Sequence, residues 1–237
     1  MNSLFYLSSV ESTNDVVSQL SQPDLNGISA VYTFDQTKGR GQYGNTWEIQ
    51  KNKNVAYSFI LEANRIRLPF SLFNFYTALL LRDFIAKITE NDVKVKWPND
   101  IILQNKKIAG LLIEKKRVKN SNFYIIGLGI NILQEDFGGL SKAGSIKSQT
   151  QLSPDLHTFA QELHDHLCEH IFLPPEEEEL LKLYNEHLFR REKISVFEIH
   201  NIRQNGIISH ADREGFLHVE LESGFEKFFH KEINLLY

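Results

Sequence analysis

A glycine-rich basic segment between two apolar runs constrains this chain more than any other stretch. Residues 36–47 read QTKGRGQYGNTW, with three glycines within six positions. Glycines let the backbone adopt positive φ and bring its N–H groups close to an anion, while Lys38 and Arg40 supply positive charge. The segment predicts a phosphate-binding loop, and the alternative is a flexible surface turn.

Two known phosphate-binding motifs nearly match this loop. Residues 39–44 fit the GxGxxG fingerprint of dinucleotide-binding proteins, and Glu62 lies near the distance expected for a ribose-binding acid. That fingerprint requires a helix directly afterwards, whereas residues 45–53 carry no helical stripe and residues 55–61 are typical of a strand. The P-loop spacing is also present, but Asn45 occupies the position of its lysine. Both motifs therefore lack an essential part.

Composition limits the classes of partner. Charged residues make up 24% of the 237 residues and the formal net charge is −4, so there is no general basic surface for nucleic acid. The single cysteine, Cys168, excludes an intrachain disulfide, and the first residues lack a signal-peptide pattern. No apolar run reaches membrane-spanning length. We expect a cytoplasmic protein with no DNA or membrane partner.

Hydrophobic periodicity predicts a larger domain at residues 1–189 and a smaller one at 190–237. Strands are predicted at residues 28–34, 55–61, 93–97, 101–103, 108–114 and 123–131. Helices are predicted after the N-cap Ser12, from about 69 to 88, from Ser153–Pro154, and after Pro174–Pro175. Past residue 191, short apolar runs separated by turn signals, including Asn205–Gly206, predict a small antiparallel barrel.

Glycines interrupt two of the predicted strands. Alternation along residues 123–131 puts Gly127, Gly129 and Asn131 on one face. Missing side chains weaken a strand unless something must approach its backbone closely, and Gly110 opens a comparable space in its own strand. A β-bulge is the alternative, but the pattern favours the floor of a ligand site.

Lys96 is a candidate catalytic cation. Pro98 ends the strand and keeps the preceding residue, Trp97, extended, so Lys96 is presented at the end of an ordered strand. A lysine on a solvent-facing strand surface is the alternative. His166 and His170 have the i, i+4 spacing of a zinc pair, but the acidic partners of the metalloprotease pattern do not accompany them. No metal site is predicted there.

Seven short motifs follow one another in a specific order. They lie at residues 12–14, 36, 39–47, 96–100, 107–110, 127–131 and 143–146. Together they resemble the biotin protein ligases, also called biotin-[acetyl-CoA-carboxylase] ligases, over nearly the whole chain. The resemblance implies an α+β fold: a mixed β-sheet flanked by helices, as in class II aminoacyl-tRNA synthetases, followed by a small Src-homology-3-like β-barrel. It also implies that an N-terminal DNA-binding domain is absent, and it allows a homodimer.

The family's reaction has two steps. Biotin and ATP form biotinyl-5′-AMP and pyrophosphate with Mg²⁺, and a lysine of a biotin carboxyl carrier protein then attacks the mixed anhydride. Two anions meet in the first step, so cations must lie between them, and Lys96 and Arg40 are the predicted catalytic residues. Trp47 is expected either to close over the intermediate or to be an ordinary core tryptophan.

The resemblance also implies the ligand contacts. Biotin-binding residues would be Ser12, Thr13, Asn14, Gln36, Arg40, Gly41, Gln42, Lys96, Gly110 and Gly127. ATP-binding residues would be Gly39, Arg40, Trp47, Asn99, Lys107 and Asn131.

The sequence departs from the family at Gln42, where arginine is common. A glutamine amide can donate hydrogen bonds but cannot neutralise a phosphate, so we expect weaker retention of the intermediate. Three alternatives remain open: a lipoate or octanoyl transferase, which shares the fold, a nonenzymatic ligand-binding protein that kept the pocket, and, ranked last, a dinucleotide oxidoreductase.

Overall fold

Two β-sheets organise the computed structural model, which describes residues 2–20, 28–118 and 120–237. The strands of the first sheet are β1 (Ser3–Leu7), β2 (Ser29–Thr33), β3 (Asn54–Glu62), β4 (Val93–Lys96), β5 (Asp100–Leu103), β6 (Lys106–Val118) and β7 (Ser121–Asn131). The helices are α1 (Thr13–Ser18), α2 (Phe70–Thr89), α3 (Ile146–Thr150), α4 (Leu156–His170) and α5 (Glu177–Glu186), with 3₁₀ turns at Gln42–Gly44 and Ala63–Arg65. The second sheet contains β8 (Ile194–Ile199), β9 (Ile202–Ala211), β10 (Leu217–Leu221), β11 (Gly224–Phe228) and β12 (Ile233–Leu236).

The first sheet is mixed, with the strand order β1-β2-β3-β7-β6-β5-β4. β1 pairs parallel with β2, and the other neighbours pair antiparallel. Alternate residues of the central strands point to opposite faces. One face forms the main core with α2 and α4, whereas the other packs a small cluster, Val17, Val31, Ile60, Phe123 and Ile125, under α1. The predicted mixed sheet flanked by helices is confirmed. The small cluster under α1 does not include the glycines of β7.

The start of α4 differs from the predicted one. The helix begins at Leu156, and its N-cap is Asp155, whose Oδ1 accepts a hydrogen bond from the Thr158 amide at 2.9 Å. The prediction that Ser153 and Pro154 open the helix was therefore wrong, because a better-placed cap follows two residues later. The predicted apolar stripe of this helix is buried.

The polar stretch at residues 136–151 contains one short helix, α3. Ser145 and Ser148 form a reciprocal capping box at the start of this single turn: each side chain accepts a hydrogen bond from the other residue's amide. Ile146 is fully buried and anchors the turn. Capping and one buried side chain stabilise a helix that is too short to show periodicity.

The second sheet is antiparallel, in the order β11-β10-β9-β8-β12, which is consistent with a Src-homology-3-like domain. The predicted turn at Asn205–Gly206 was wrong, because both residues lie inside β9. A Cβ at Gly206 would lie 2.7 Å from Leu221 Cδ2, so the glycine admits a neighbouring side chain. The turn lies instead at His200 and Asn201, whose φ angles are 50° and 63°.

Hydrogen bonds join α5 and the β4–β5 turn to the region of the second sheet. The Asn185 amide donates to Ala211 O at 3.0 Å, and its Oδ1 accepts from the Ala211 amide at 2.7 Å. Trp97 Nε1 donates to Gly215 O at 3.2 Å. The boundary at 189/190 stays a prediction. Within the described parts of the chain, no helix is both long and apolar enough to cross a membrane.

Candidate active site

One cavity of about 240 Å³ lies between the glycine-rich loop, the start of α1, the β4–β5 turn and the glycines of β6 and β7. Predicted site residues in its lining are Ser12, Thr13, Asn14, Gln36, Arg40, Gly41, Gln42, Trp47, Lys96, Asn99, Lys107, Gly110 and Gly127. These residues come from positions spread over more than a hundred residues of sequence. The fold therefore brings Arg40 and Lys96 to the same cavity.

A buried polar network forms the end of the cavity nearest α1. The Thr13 amide and hydroxyl donate to Gln36 Oε1 at 2.8 and 3.0 Å. The Ser58 hydroxyl lies 2.7 Å from Thr13 Oγ1 and 2.6 Å from Asn14 Oδ1, and Asn14 Nδ2 donates to Glu114 Oε2 at 2.6 Å. Side chains with this many donors and acceptors can hydrogen-bond a polar ligand group such as a urea.

Arg40 faces two carboxylates. Its Nη1 and Nη2 donate to Asp15 Oδ2 and Oδ1 at 2.6 and 2.8 Å, and Nη2 lies 3.5 Å from Glu114 Oε2. The hydrogen bond from Arg40 lowers the pKa of Asp15, and the same bond raises the pKa of Arg40. The Arg40 side chain is about two-fifths exposed, so an anionic ligand can reach it from the cavity.

The three loop glycines play different parts. Gly44 alone among them has a positive φ, of 80°. A Cβ at Gly39 would lie 2.1 Å from Trp47 O, so this glycine admits the returning chain. The Gly41 amide donates to Asn45 O at 2.7 Å. Phosphate binding by the loop amides stays a prediction.

The opposite end of the cavity carries two lysines around one carboxylate. Lys96 Nζ lies 3.8 Å from Asp100 Oδ2, and Lys107 Nζ lies 2.6 Å from Asp100 Oδ1. Burial lowers the pKa of Lys96, and the Asp100 charge partly offsets that effect. The excess positive charge at this end favours a negatively charged ligand.

The glycines of the floor are in register across β6 and β7. Gly110 pairs with Gly129, and Gly127 lies two residues before Gly129 on the same face. A Cβ at Gly129 would lie 2.3 Å from the Trp47 indole, and one at Gly127 would lie 2.3 Å from Asn14 Oδ1. The strands therefore lack side chains where other groups approach the backbone, as their pattern predicted. Trp47 lies inside the site, half-buried, with no hydrogen-bond partner for Nε1 among the described residues.

Two predicted nucleotide-binding residues are not in the cavity lining. Gly39 lies against the Trp47 backbone. Asn131 is buried, its Nδ2 donates to Gly144 O at 3.0 Å, and its Oδ1 has no partner within the described chain. Asn99 does line the cavity, but its Nδ2 donates to Leu111 O and fixes the strand ends. ATP contacts by these residues stay predictions.

Sequence reasoning missed the roles of the acidic residues and of one histidine. Asp15 lies in the first turn of α1 and Asp100 begins β5, and neither was assigned a role in the site from the sequence. Glu114 could have been found, since it shares a strand face with Gly110 at period two. His230 belongs to the chain after β11 and lines the cavity, and no local pattern predicts this placement.

Two histidines of α4 make hydrogen bonds to backbone carbonyls. His166 Nε2 lies 3.1 Å from Leu80 O, and His170 Nδ1 lies 2.8 Å from His166 O. Among the described residues, no three His, Cys, Asp or Glu side chains could hold a metal ion together. Both rings therefore have structural hydrogen bonds.

The sequence matches a known protein-ligase family over more than half of its length. Residues 6–131 match the model of the biotin/lipoate A/B protein ligase family, and the chain belongs to that family. It is 32% identical over 132 residues to biotin–protein ligase 2 of Arabidopsis thaliana, covering 53% of this chain and 39% of the relative. It is 28% identical over 144 residues to a biotin-[acetyl-CoA-carboxylase] ligase of Paracoccus denitrificans, covering 60% and 57%. The matches thus span less than two thirds of these relatives.

Solved structures share the fold over nearly their full length. The biotin protein ligase from Aquifex aeolicus in complex with biotin and ATP superposes with a TM-score of 0.80 at 21% identity, covering 98% of both chains. The enzyme from Leishmania major in complex with biotinyl-5-AMP gives 0.65 at 21% identity, covering 95% of this chain and 98% of that one. This likeness confirms the predicted fold class.

Proposed function

We propose that this chain is an ATP-dependent biotin–protein ligase that transfers biotin to a lysine of a biotin carboxyl carrier protein. The observation that carries the proposal is that Arg40 and Lys96 line one cavity with a floor of bare glycine backbone. Relatives in the matched family are biotin–protein ligases, which supports the same conclusion.

In the first step, a carboxylate oxygen of biotin attacks the α-phosphorus of ATP. The new bond is the C–O–P link of the mixed anhydride, and the bond to the β-phosphate breaks to release pyrophosphate. Both reactants are anions, so fixed positive charge lowers the barrier most where negative charge accumulates. Lys96 and Arg40 supply that charge from different elements of the fold.

The two ends of the cavity suit the two substrates. The network of Thr13, Asn14, Gln36 and Ser58 provides donors and acceptors for the ureido group of biotin. Lys96 and Lys107 at the other end suit a phosphate chain. Trp47 lies on Gly129, and a cavity of about 240 Å³ is small for both substrates together, so we infer that the indole shifts when they bind.

Mg²⁺ fits this site as an ion carried by the nucleotide. Within the described part of the lining, Asp100 is the carboxylate that would hold it, and Asp100 already faces two lysines. Mg²⁺ commonly takes one or two carboxylates and completes its shell with phosphate oxygens and water. When bound, it would offset the charge of the phosphates.

In the second step, the neutral amine of the acceptor lysine attacks the carbonyl carbon of the adenylate. An amide bond forms, the bond to the phosphate oxygen breaks, AMP leaves and the nitrogen loses one proton. The adenylate is also open to attack by water, so the cavity has to be closed until the acceptor arrives. The loop that carries Arg40 and Trp47 is the element beside the cavity that can close it.

Biotin-dependent exchange of pyrophosphate into ATP tests the first step. We expect Lys96→Ala to reduce the exchange rate ~10²- to 10³-fold, the usual effect of removing one preorganised charge. Lys94→Ala is the matched control, because Lys94 lies on the same strand but pairs with Asp92 at 3.0 Å and is absent from the described cavity lining.

Equal exchange rates for Lys96→Ala and the wild type would show that Lys96 is not the catalytic cation of the first step. A wild type that exchanges pyrophosphate with lipoate and not with biotin would replace the proposed substrate. Labelled biotin, ATP, Mg²⁺ and a carrier domain then test the complete transfer.

A further inference from the structure

A groove of about 310 Å³ opens beside the cavity, between the start of α2 and the second sheet. It shares four lining residues with the cavity: Gln42, Trp97, Pro98 and His230. The groove is therefore continuous with the place where the adenylate would form.

Two exposed phenylalanines line this groove. Phe70 is the first residue of α2 and is 41% exposed, and Phe229 follows β11 and is 47% exposed. Single exposed apolar side chains are common on proteins. Two aromatic rings in one concave site indicate a binding surface, because aromatic side chains that become buried contribute most of the energy at protein interfaces.

The floor of the groove is held rigidly by hydrogen bonds. Pro98 O accepts from Asn74 Nδ2 at 3.0 Å and from the Tyr184 hydroxyl at 3.1 Å. Trp97 Nε1 donates to Gly215 O on the opposite wall at 3.2 Å. A preformed surface loses little conformational entropy on binding a partner.

One lysine lies over the Phe70 ring, and another lies over the ring that packs against Phe229. Lys115 Nζ lies 4.7 Å from the centre of the Phe70 ring. Lys227 Nζ lies 4.6 Å from the Phe216 ring, whose centre is 5.5 Å from that of Phe229. Neither lysine has an ion pair within the part of the chain that the structure describes.

We propose that this groove binds the surface turn of the acceptor protein that presents the acceptor lysine. An apolar side chain next to that lysine would lie between Phe70 and Phe229, and acidic side chains of the acceptor would face Lys115 and Lys227. Glu214 also lines the groove. Arg213 Nε lies 4.0 Å from its carboxylate, but Arg213 Nη2 pairs with Glu177 at 2.8 Å, so the Glu214 charge is only partly offset.

The proposal rests on the proposed function, because the reactive amine has to reach an adenylate inside the cavity. Backbone that flanks the acceptor lysine must therefore bind at the mouth of the cavity. The groove meets this requirement, since it combines an apolar surface with residues shared with the cavity.

The test measures the KM for a purified carrier domain in its unbiotinylated form. We expect Phe229→Ala and Phe70→Ala each to raise this KM ~10-fold, the effect of losing an aromatic anchor. Biotin-dependent pyrophosphate exchange should stay unchanged, because neither ring lines the cavity. Phe225→Ala is the matched control: Phe225 is 73% exposed and lies on the same sheet but outside the groove lining.

Charge reversal provides a second measurement that does not depend on the rings. The double variant Lys115→Glu, Lys227→Glu should raise the KM for the carrier most strongly at low salt, since screening weakens interactions between exposed charges. A variant with unchanged pyrophosphate exchange has kept its fold and its first reaction.

Four outcomes decide the question. A raised KM for both phenylalanine variants, with a normal Phe225→Ala control, supports the docking groove. An unchanged KM with normal exchange overturns it and leaves the proposed function intact. Loss of concentration-dependent self-association in Phe229→Ala, with an unchanged KM, means that the groove binds a second copy of the chain and also overturns it. Failure of the wild type to exchange pyrophosphate with biotin overturns the proposed function and the groove together.

Discussion

Arg40 and Asp15 face each other across the mouth of the cavity, joined by two hydrogen bonds of 2.6 and 2.8 Å. Glu114 Oε2 lies 3.5 Å from Nη2 of the same guanidinium. Arg40 therefore faces two negative charges, and a phosphate must compete with Asp15 for it. If the cavity binds ATP as proposed, Asp15 competes with the nucleotide for this side chain.

Asp15→Asn should strengthen ATP binding. Removing the carboxylate leaves the guanidinium more positive, and because exposed ion pairs contribute ~0–1 kcal/mol, the KM for ATP should fall about threefold. The thermal midpoint should change little for the same reason. Exchange kinetics measured against ATP concentration test this expectation.

Glu11→Gln is the control for that variant. It breaks the Lys38–Glu11 ion pair of 2.8 Å in the same region, where both side chains are 69% exposed. We expect no change in the KM for ATP. A higher KM in Asp15→Asn would mean that Asp15 orients Arg40 for the phosphate instead of competing with it.

Part of the site could be predicted from local patterns. Period-two alternation identified the glycine face of β7, and Pro98 indicated the ordered position of Lys96. Each of these patterns is contained in a segment of about ten residues or fewer, and within such a segment strand geometry fixes which side chains share a face.

The pairings that complete the site could not be predicted in this way. Arg40 and Asp15 are 25 residues apart, and Asn14 and Glu114 are 100 apart. Their contacts depend on how α1 packs across β3 and β7 and on strand register, which single-sequence periodicity does not specify. For the same reason, Gly206 was interpreted as a turn although Leu221 packs against it.

Gly127→Ala should weaken biotin binding. The added methyl would lie 2.3 Å from Asn14 Oδ1, so the amide must move away from Ser58 and Glu114. Overpacking of this kind costs ~1–3 kcal/mol, which corresponds to a rise in the KM for biotin of ~5- to 150-fold if the cost falls on the bound state. The maximal exchange rate should fall less than the KM rises.

Gly206→Ala tests whether that effect is local. Its methyl would crowd Leu221 Cδ2 at 2.7 Å on the second sheet, so it introduces a comparable clash elsewhere. This variant should lower the free energy of unfolding and leave the KM for biotin unchanged. If Gly127→Ala and Gly206→Ala gave the same KM for biotin, the clash at Asn14 would have no specific effect, and Asn14 would have no part in binding.

Gln42→Arg should slow the release of biotinyl-AMP. Gln42 lies where the cavity meets the groove, and a guanidinium there would add a charged hydrogen bond to the adenylate phosphate. Hydrogen bonds to charged groups contribute ~1.5–3 kcal/mol, so release should slow at least ~10-fold. Release is measured as labelled adenylate lost from the protein after gel filtration.

Gln50→Arg adds the same charge outside the described cavity lining and serves as the control. Its release rate should equal that of the wild type. Equal rates for Gln42→Arg and the wild type would contradict the expected effect of the glutamine.

Buried histidines should make the protein less stable in mild acid. Burial lowers the pKa of His164, whose Nδ1 lies 2.8 Å from the Tyr57 hydroxyl, and it also lowers the pKa of His166. The unfolded chain then binds protons first, so the free energy of unfolding falls as pH drops below about 6.5, the ordinary histidine pKa. Urea unfolding at pH 7 and pH 5.5 should show this loss.

His164→Gln keeps a hydrogen-bonding side chain but removes the titration. One proton accounts for at most ~1.4 kcal/mol per pH unit, so the slope of stability against pH should decrease by up to that amount in this variant. Because the comparison uses slopes, a constant loss of stability in His164→Gln does not affect it. Equal slopes in His164→Gln and the wild type would exclude His164 as a source of the acid sensitivity.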